Sequence, residues 1–552
     1  MVIFDEDKQK RKLGDLLKKE EESLVQLLAQ KHSLEYVDLS AISINTDALR
    51  LLDEHKAYDA KVAPFAIIDR RVKVAARNPG DQKTTEVLAI LKEAGYEPEL
   101  LIASTASLEK AWKGYKDISF AYETKAGSLD IANEEISKVV SSTKSLPEVQ
   151  ALLKDILEQK KSYRVSRILE VIIAGAIAAN ASDIHVEPEQ EYIRLRYRLD
   201  GVLVDVTRFD LTTFGLLLSR IKLLSGLKLN IKKDAQDGRF SVKVNTTEIE
   251  IRTSILPGAY NESIVLRLLN PESISVPLEQ LGIPKKLLSI ILQQIDKPNG
   301  MVLTTGPTGS GKTTTLYAFL KRVYGPSVKI ITIEDPIEYH LEGITQTQVN
   351  EEGYNFLEGL RSALRQDPDI IMVGEIRDGE TAAIAINSAL TGHLVFSTLH
   401  TNDAAGAFPR LLDLGVNSHV ISSAINITLA QRLVRKLCDG CKKEIENTNP
   451  KVQKVLESII DKNEIPQTTK LWQSVGCEKC NHTGYKGRIG IYEGILTDPE
   501  VNKIIETGGS SQEIKTAALS QAILTMAQDG IIKALQGVTS IEELERVIEI
   551  SI

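Results

Sequence analysis

The chain lacks any run of 18 or more apolar residues, so no transmembrane helix is expected. Its opening residues, MVIFDEDKQKRK, lack the apolar core of a signal peptide. Excess positive charge is also missing. The 67 Lys and Arg against 75 Asp and Glu leave a net charge of −8, which argues against a general nucleic-acid binder while leaving local basic patches open. Cysteine is scarce. The four cysteines form two C-x-x-C pairs, which point to a metal site in a reducing compartment rather than to a disulfide framework. The cytoplasm is the simplest location, with peripheral membrane association through a partner left open. The 552 residues are enough for three or four domains.

The most informative stretch is MVLTTGPTGSGKTTT at 301–315. A short β-branched strand runs into Gly306, Pro307, Thr308, Gly309, Ser310, Gly311, Lys312 and Thr313, and the helix-forming run beginning Thr314 follows. Strand, glycine loop and helix in this order are the context of a phosphate-binding loop. Gly309 and Gly311 let the backbone N–H groups turn toward phosphates, and the helix N-terminus favours anions. Lys312 is expected on the β/γ-phosphates of ATP and Thr313 on Mg²⁺.

Acidic strand ends follow. VKIITI leads into Glu334, Asp335 and Glu338, carboxylates suited to handling Mg²⁺ and water. Proximity alone does not choose Glu338 over Glu334 as the base. DIIMVGE reads as a Walker-B-like strand ending at Glu375. Arg361 and Arg365, spaced i,i+4, share a helix face and read as a sensor, a trans-acting arginine finger or a surface salt bridge. His393 and His400 flank an apolar strand, and His400 at the strand–loop boundary is suited to sensing the γ-phosphate or ordering water.

The rest of the chain divides as follows. Residues 1–115 read as a small α/β docking or regulatory domain. Residues 11–33 within it read as a helix with Leu13, Leu16 and Leu17 on one face and Val25, Leu27 and Leu28 on another. Residues 116–165 read as a linker with a helix. In 166–274, arginines alternate with apolar residues along YIRLRYRLDG, giving an antiparallel sheet with helices on one face and an Asp200-Gly201 hairpin turn. Arg239, after an Asp237-Gly238 turn, and Arg252, at a strand end, are placed to reach phosphate from a neighbouring domain. Residues 275–437, which carry the phosphate loop and the acidic strand ends, read as the ATPase core. Cys438, Cys441, Cys477 and Cys480 form two knuckles within 438–495, matching a structural tetrahedral Zn²⁺ site ahead of reduced unligated thiols or redox chemistry. Residues 496–552 read as helical, with a capping box from Ser540 to Glu543.

Together GPTGSGKT, ITIEDPIE, DPDIIMVGEIRD, GHLVFSTLHTNDA, SDIHVEP, QDGR and the paired cysteines resemble the ATPases of type II secretion and type IV pilus assembly, strongly over 150–552 and weakly before. The resemblance implies an α/β architecture: a RecA-like P-loop core preceded by a PAS-like α+β domain, a small N-terminal α/β domain and a tetracysteine zinc module. It implies Glu338 as the catalytic glutamate of the aspartate box, Glu375 as the Walker B glutamate, His393 and His400 as the histidine box, and Arg239, Arg252, Arg361, Arg365 and Arg488 as phosphate-binding arginines. It further implies a cytoplasmic homohexamer, working against an inner-membrane platform protein and a cytoplasmic accessory protein, that drives assembly of a pilus or, in type II secretion, a pseudopilus. A nucleotide-dependent scaffold with little turnover and a nucleic-acid translocase are the other readings. Two departures stand out. Ala235 occupies a position commonly held by proline, and KLGDLL at 12–17 is only a fragment of a cyclic-di-GMP motif, which favours docking over that regulation.

Overall fold

A computed structural model describes residues 21–550 apart from 33, 40–41, 43, 50, 69, 114, 116–120, 123–127, 132–145, 159–164, 245–246, 271–275, 351–352 and 468–469. The proposed face of Leu13, Leu16 and Leu17 and the KLGDLL fragment lie outside the described residues. Further along that helix, Val25 and Ala29 are buried one turn apart, whereas Leu27, expected on the same face, is exposed.

Three main sheets organise the described chain. The first carries β1 (Val62–Ile68), β2 (Arg71–Ala76) and β3 (Glu97–Ile102) in that order, with β1 and β2 antiparallel and β2 and β3 parallel. The helices Gln82–Glu93 and Thr105–Lys113 contribute Val87, Leu91, Leu108 and Trp112 to its core.

The second sheet has eight strands: β4 (Ala121–Tyr122), β5 (Ser128–Ile131), β6 (Ala181–Pro188), β7 (Ile193–Leu199), β8 (Val202–Phe209), β9 (Gln236–Val244), β10 (Thr247–Pro257) and β11 (Glu262–Leu269), in the order β4-β5-β9-β10-β11-β6-β7-β8. Only the β5–β9 pair is parallel. In β7, Ile193, Leu195, Tyr197 and Leu199 are buried while Arg194, Arg196 and Arg198 lie on the other face, the strict alternation of a half-buried strand. The expected Asp200-Gly201 turn joins β7 to β8, with φ of 48° and 85°. These left-handed values are those a two-residue type I′ hairpin requires.

Two expectations for this sheet need correction. Asp237 and Gly238 do not form a turn, because β9 already begins at Gln236 and they pair with Ser254 and Thr253. Glycine is needed at 238 because a Cβ there would meet Ser225 O at 2.4 Å. Nor is Arg252 at a strand end: it sits mid-strand, directly across from Arg239. The turn before β9, where Ala235 replaces proline, is held by the Gln236 side chain. Its Oε1 accepts from Lys228 N at 2.9 Å, and its Nε2 donates to Lys228 O and Ile231 O at 3.1 and 3.0 Å.

The third sheet carries β12 (Gly300–Thr305), β13 (Ile330–Glu334), β14 (Thr345–Gln348), β15 (Ile370–Val373), β16 (Leu394–Leu399), β17 (Ile425–Leu437) and, after the cysteine excursion, β20 (Tyr485–Leu496). Their order is β14-β13-β15-β16-β12-β17-β20, all parallel except the last pair. Every residue of β12, β13, β15 and β16 is buried, as expected for parallel strands covered on both faces. Polar β14, sequence TQTQ, ends one edge. Within the excursion, β18 (Lys443–Ile445) and β19 (Leu471–Gln473) form a short antiparallel ribbon.

The C-terminal region is helical. Ser540 Oγ accepts from Glu543 N at 3.2 Å, but Glu543 does not close the expected capping box. Its carboxylate instead accepts from Arg435 N, Nε and Nη2 and from Arg546, tying the helix to β17. Among the described residues, no helix is long and apolar enough to cross a membrane.

Candidate active site

The parallel strands bring the site together at their carboxyl ends, the usual ligand edge of an open α/β sheet. From β12 the chain turns through Gly306, Gly309 and Gly311, at φ of 148°, 77° and 89°, into the helix Lys312–Val323. Lys312 Nζ donates to Gly306 O at 2.8 Å and Pro307 O at 3.1 Å, folding over its own loop. Burial lowers its pKa, while nearby Glu375 acts in the opposite direction. Ser310 Oγ is buried beside the loop with no hydrogen-bond partner among the described residues. Thr313 and Thr314 occupy the first helical turn.

Glu375 leaves β15 two residues past its end. Its Oε2 lies 3.0 Å from His400 Nε2, just past β16, and its other oxygen pairs with Arg377, which also approaches Asp335 at 3.4 Å. Glu375, His400 and Lys312 thus share one strand edge. His393 does not. It precedes β16 at the opposite edge, roughly 20 Å of strand away, with Nδ1 3.1 Å from Ser388 O. Flanking the same strand therefore separates the two histidines, and His393 stands outside this chain's phosphate-loop site.

The geometry distinguishes the acids of the aspartate box. Glu334 is buried, accepts from Thr332 Oγ1 at 2.5 Å and Gln346 Nε2 at 3.0 Å, and bonds Tyr317; burial pushes its pKa up. Those partners occupy it structurally. Glu338 is more open and faces Arg252, whose Nη1 lies 3.6 Å from Glu338 Oε2 and whose Nη2 donates to Ile337 O at 2.6 Å. The second sheet therefore reaches the acidic loop directly. Arg239, opposite Arg252, is exposed. Arg361 and Arg365 have local partners, Glu358 Oε1 and Ser362 Oγ, each at 3.0 Å.

Several residues beside the loop escaped sequence reasoning. Thr305 Oγ1 lies 2.6 Å from Thr401 Oγ1 and accepts from Thr401 N at 2.9 Å, latching the His400 loop to β12. Gln431 Nε2 donates to Ser310 O at 2.8 Å. Arg432 packs against Gly306. Gln431 and Arg432 sit among other polar residues of β17, Asn426, Thr428, Arg435 and Lys436, so the sequence did not mark them out. A cavity of about 460 Å³ adjoins Gly311, Thr314 and Thr315 and is lined by Arg435, Arg488 and Tyr492 on β17 and β20. Its volume falls in the range of small-molecule sites.

The four cysteine sulfurs lie within 4.8 Å of one another, with Cys438–Cys477, Cys441–Cys480 and Cys477–Cys480 each 3.8 Å apart. These separations are far too long for disulfides. A tetrahedron with Zn–S bonds of about 2.3 Å has edges of about 3.8 Å, so the set fits a four-coordinate thiophilic metal. Cys477 N and Gly484 N also donate to Cys480 Sγ, at 3.2 and 3.3 Å.

A family model described as "Type II/IV secretion system protein" matches residues 158–546. The chain belongs to that family. A model described as the MshEN domain matches residues 32–119. The Type IV pilus assembly ATPase PilB of Myxococcus xanthus is 36% identical over 527 residues, covering 95% of this chain and 91% of that protein. The Type II secretion system protein E of Aeromonas hydrophila is 43% identical over 394 residues, covering 71% of this chain and 77% of that protein. The X-ray structure of the Legionella pneumophila ATPase DotB aligns with a TM-score of 0.50 at 24% identity, over 69% of this chain and 95% of that one, a likeness of fold. This family member is an ATP hydrolase with a RecA-like P-loop core and an α/β N-terminal domain, a secretion or pilus-assembly ATPase that uses ATP with Mg²⁺.

Proposed function

We propose that the chain is the assembly motor of a type IV pilus. Coverage is the supporting observation: the pilus-assembly relative from M. xanthus aligns along 95% of the chain, against 71% for the secretion relative from A. hydrophila. In this reading the chain works as a cytoplasmic homohexamer at the inner face of the cytoplasmic membrane. It docks to an inner-membrane platform protein and a cytoplasmic accessory protein and needs no nucleic acid. The second sheet serves as the PAS-like arginine-bearing domain. Cys438, Cys441, Cys477 and Cys480 hold a structural Zn²⁺ that ties the excursion to the motor.

ATP binds with its phosphates against the N–H groups of residues 308–314. Lys312 exchanges its two carbonyl contacts for the β/γ-phosphates. Thr313 and Glu375 would hold Mg²⁺, which when bound would neutralise charge on the phosphates. Glu338 accepts the proton of the attacking water as general base. His400, oriented by Glu375, faces the γ-phosphate. Arg239 and Arg252 approach the developing charge from the second sheet. Arg361 and Arg365, with only local partners described, serve a neighbouring subunit's site.

Disrupting the gene and scoring pili and secreted proteins in the same cells tests the assignment. Pili are expected to vanish while secretion continues. Lost secretion with intact pili would reject the pilus reading in favour of pseudopilus assembly. The scaffold reading requires slow turnover that survives Glu338→Gln.

A further inference from the structure

Arg432 lies on β17 beside the phosphate-loop strand, two residues beyond the Thr305–Ala430 register pair. Its guanidinium is half-buried and bridges two carbonyls. Nη1 donates to Gln431 O at 3.0 Å, and Nη2 donates to Asn402 O at 2.8 Å. Asn402 belongs to the loop that carries His400. Gln431 belongs to the wall of the phosphate loop, because its amide holds Ser310 O and a Cβ on Gly306 would lie 2.7 Å from Gln431 O and 3.1 Å from Arg432 Nη1.

Among the described residues, Arg432 forms no ion pair. The acids whose charge acts on it are engaged elsewhere: Asp403 with Lys515 at 2.8 Å, and Glu493 with the amides of Ala404 and Met526 at 2.8 and 3.1 Å. Burying an arginine on neutral carbonyls alone is costly for a purely structural cross-link, and a neutral side chain would make the same bridge more cheaply. What a guanidinium adds is a planar fork that fixes two acceptors at a set separation and angle.

The geometry points to Arg432 as a positioning residue for hydrolysis. It holds the His400 loop in register with the first turn of the phosphate loop, so that the Glu375–His400 pair meets the γ-phosphate only when the loop is properly formed. The Thr305–Thr401 latch and the Arg432–Asn402 bond hold adjacent residues of the same loop, directly after His400. The inference rests on ATP hydrolysis at this loop.

Steady-state ATPase assays of the full chain with MgATP test the inference. Lysine at 432 keeps the charge but cannot fork between two carbonyls. Arg432→Lys is expected to lower kcat about 10–100-fold, the scale of a small misplacement at a reacting centre, while KM changes by less than about threefold. In a His400→Ala background the same change is expected to cost less than about twofold, since the group being positioned is already gone. The melting temperature of Arg432→Lys should stay at the wild-type value. Unchanged kcat, an effect confined to KM, fully additive losses with His400→Ala, or a fall in melting temperature that tracks the loss of turnover would each overturn the proposal. Wild-type turnover, and its loss in Glu338→Gln, report separately on the hydrolytic reading.

Discussion

Replacing Arg252 with alanine should release the acidic loop from the second sheet. The bond from Arg252 Nη2 to Ile337 O, at 2.6 Å, is charge-assisted, and such bonds contribute about 1.5–3 kcal/mol. The contact with Glu338, at 3.6 Å, adds at most about 0.5 kcal/mol, because the carboxylate is a third exposed and solvent screens it. A loss of about 2–3 kcal/mol corresponds to roughly 30–150-fold weaker docking of the loop, at 1.4 kcal/mol per decade. Hydrogen exchange reads this directly. Amides in the segment 337–348 of the nucleotide-free protein should exchange faster by a factor of that order, while those of buried β15 should not change. Arg252→Lys should behave nearly like the alanine variant, because a point charge can satisfy Glu338 but cannot also reach Ile337 O. Unchanged exchange over 337–348 in Arg252→Ala would refute the claim that this residue joins the two layers.

Glu338→Gln should retain ATP binding and lose about 10²–10⁴-fold in turnover, the range of a general base. Glu334→Gln should instead lower the melting temperature, because its carboxylate serves Thr332, Gln346 and Tyr317; equal stability of the two variants would undo that division of labour. On the Zn²⁺ site proposed above, chelation should loosen the helix Leu146–Glu158, whose first amide donates to Asn481 Oδ1 at 2.7 Å beside Cys480, and faster exchange there is the readout. Glu543 gives a pH test. Burial alone would raise its pKa, but Arg546 and Arg435 outweigh that and hold the carboxyl below the usual range. A depressed folded pKa means that the stabilisation is complete above the unfolded value of about 4.3 and is lost as pH falls through the folded one. Denaturation midpoints should therefore drop on acidification below about pH 5, and Glu543→Gln should both flatten that limb and cost about 3–5 kcal/mol near neutrality.

The legible parts of this molecule were those encoded in short contiguous runs. The buried strands, the glycine loop, the Asp200-Gly201 hairpin and the cysteine spacing each declare themselves locally. What stayed hidden depended on register and strand order. Nothing in the sequence places Arg239 across from Arg252, because that pairing follows from where β9 begins, and a supposed turn at Asp237-Gly238 concealed it. The sequence singled out His400 at its strand–loop boundary, but only the strand order shows that His393 lies at the other end, away from the ligand edge of the parallel sheet. Ser540 and Glu543 matched a capping pattern at the right spacing, but Arg435 on a strand more than a hundred residues earlier competes for the carboxylate and wins it with a charged fork.

Strand order also brings distant segments together at the site. Placing β12 between β16 and β17 sets the phosphate loop against the His400 loop on one side and against Gln431 and Arg432 on the other. Each neighbour makes its own hydrogen bonds to the loop or its strand, through Thr401 to Thr305 and through Gln431 to Ser310. The acidic loop reaches outward to Arg252 on a separate sheet. A nucleotide that draws Lys312 away from Gly306 O and Pro307 O therefore disturbs a loop already bonded on both flanks, while Glu338 is held from a different layer. The acidic loop is thus held from both sheets: Glu338 follows β13 of the third, and Arg252 reaches it from the second.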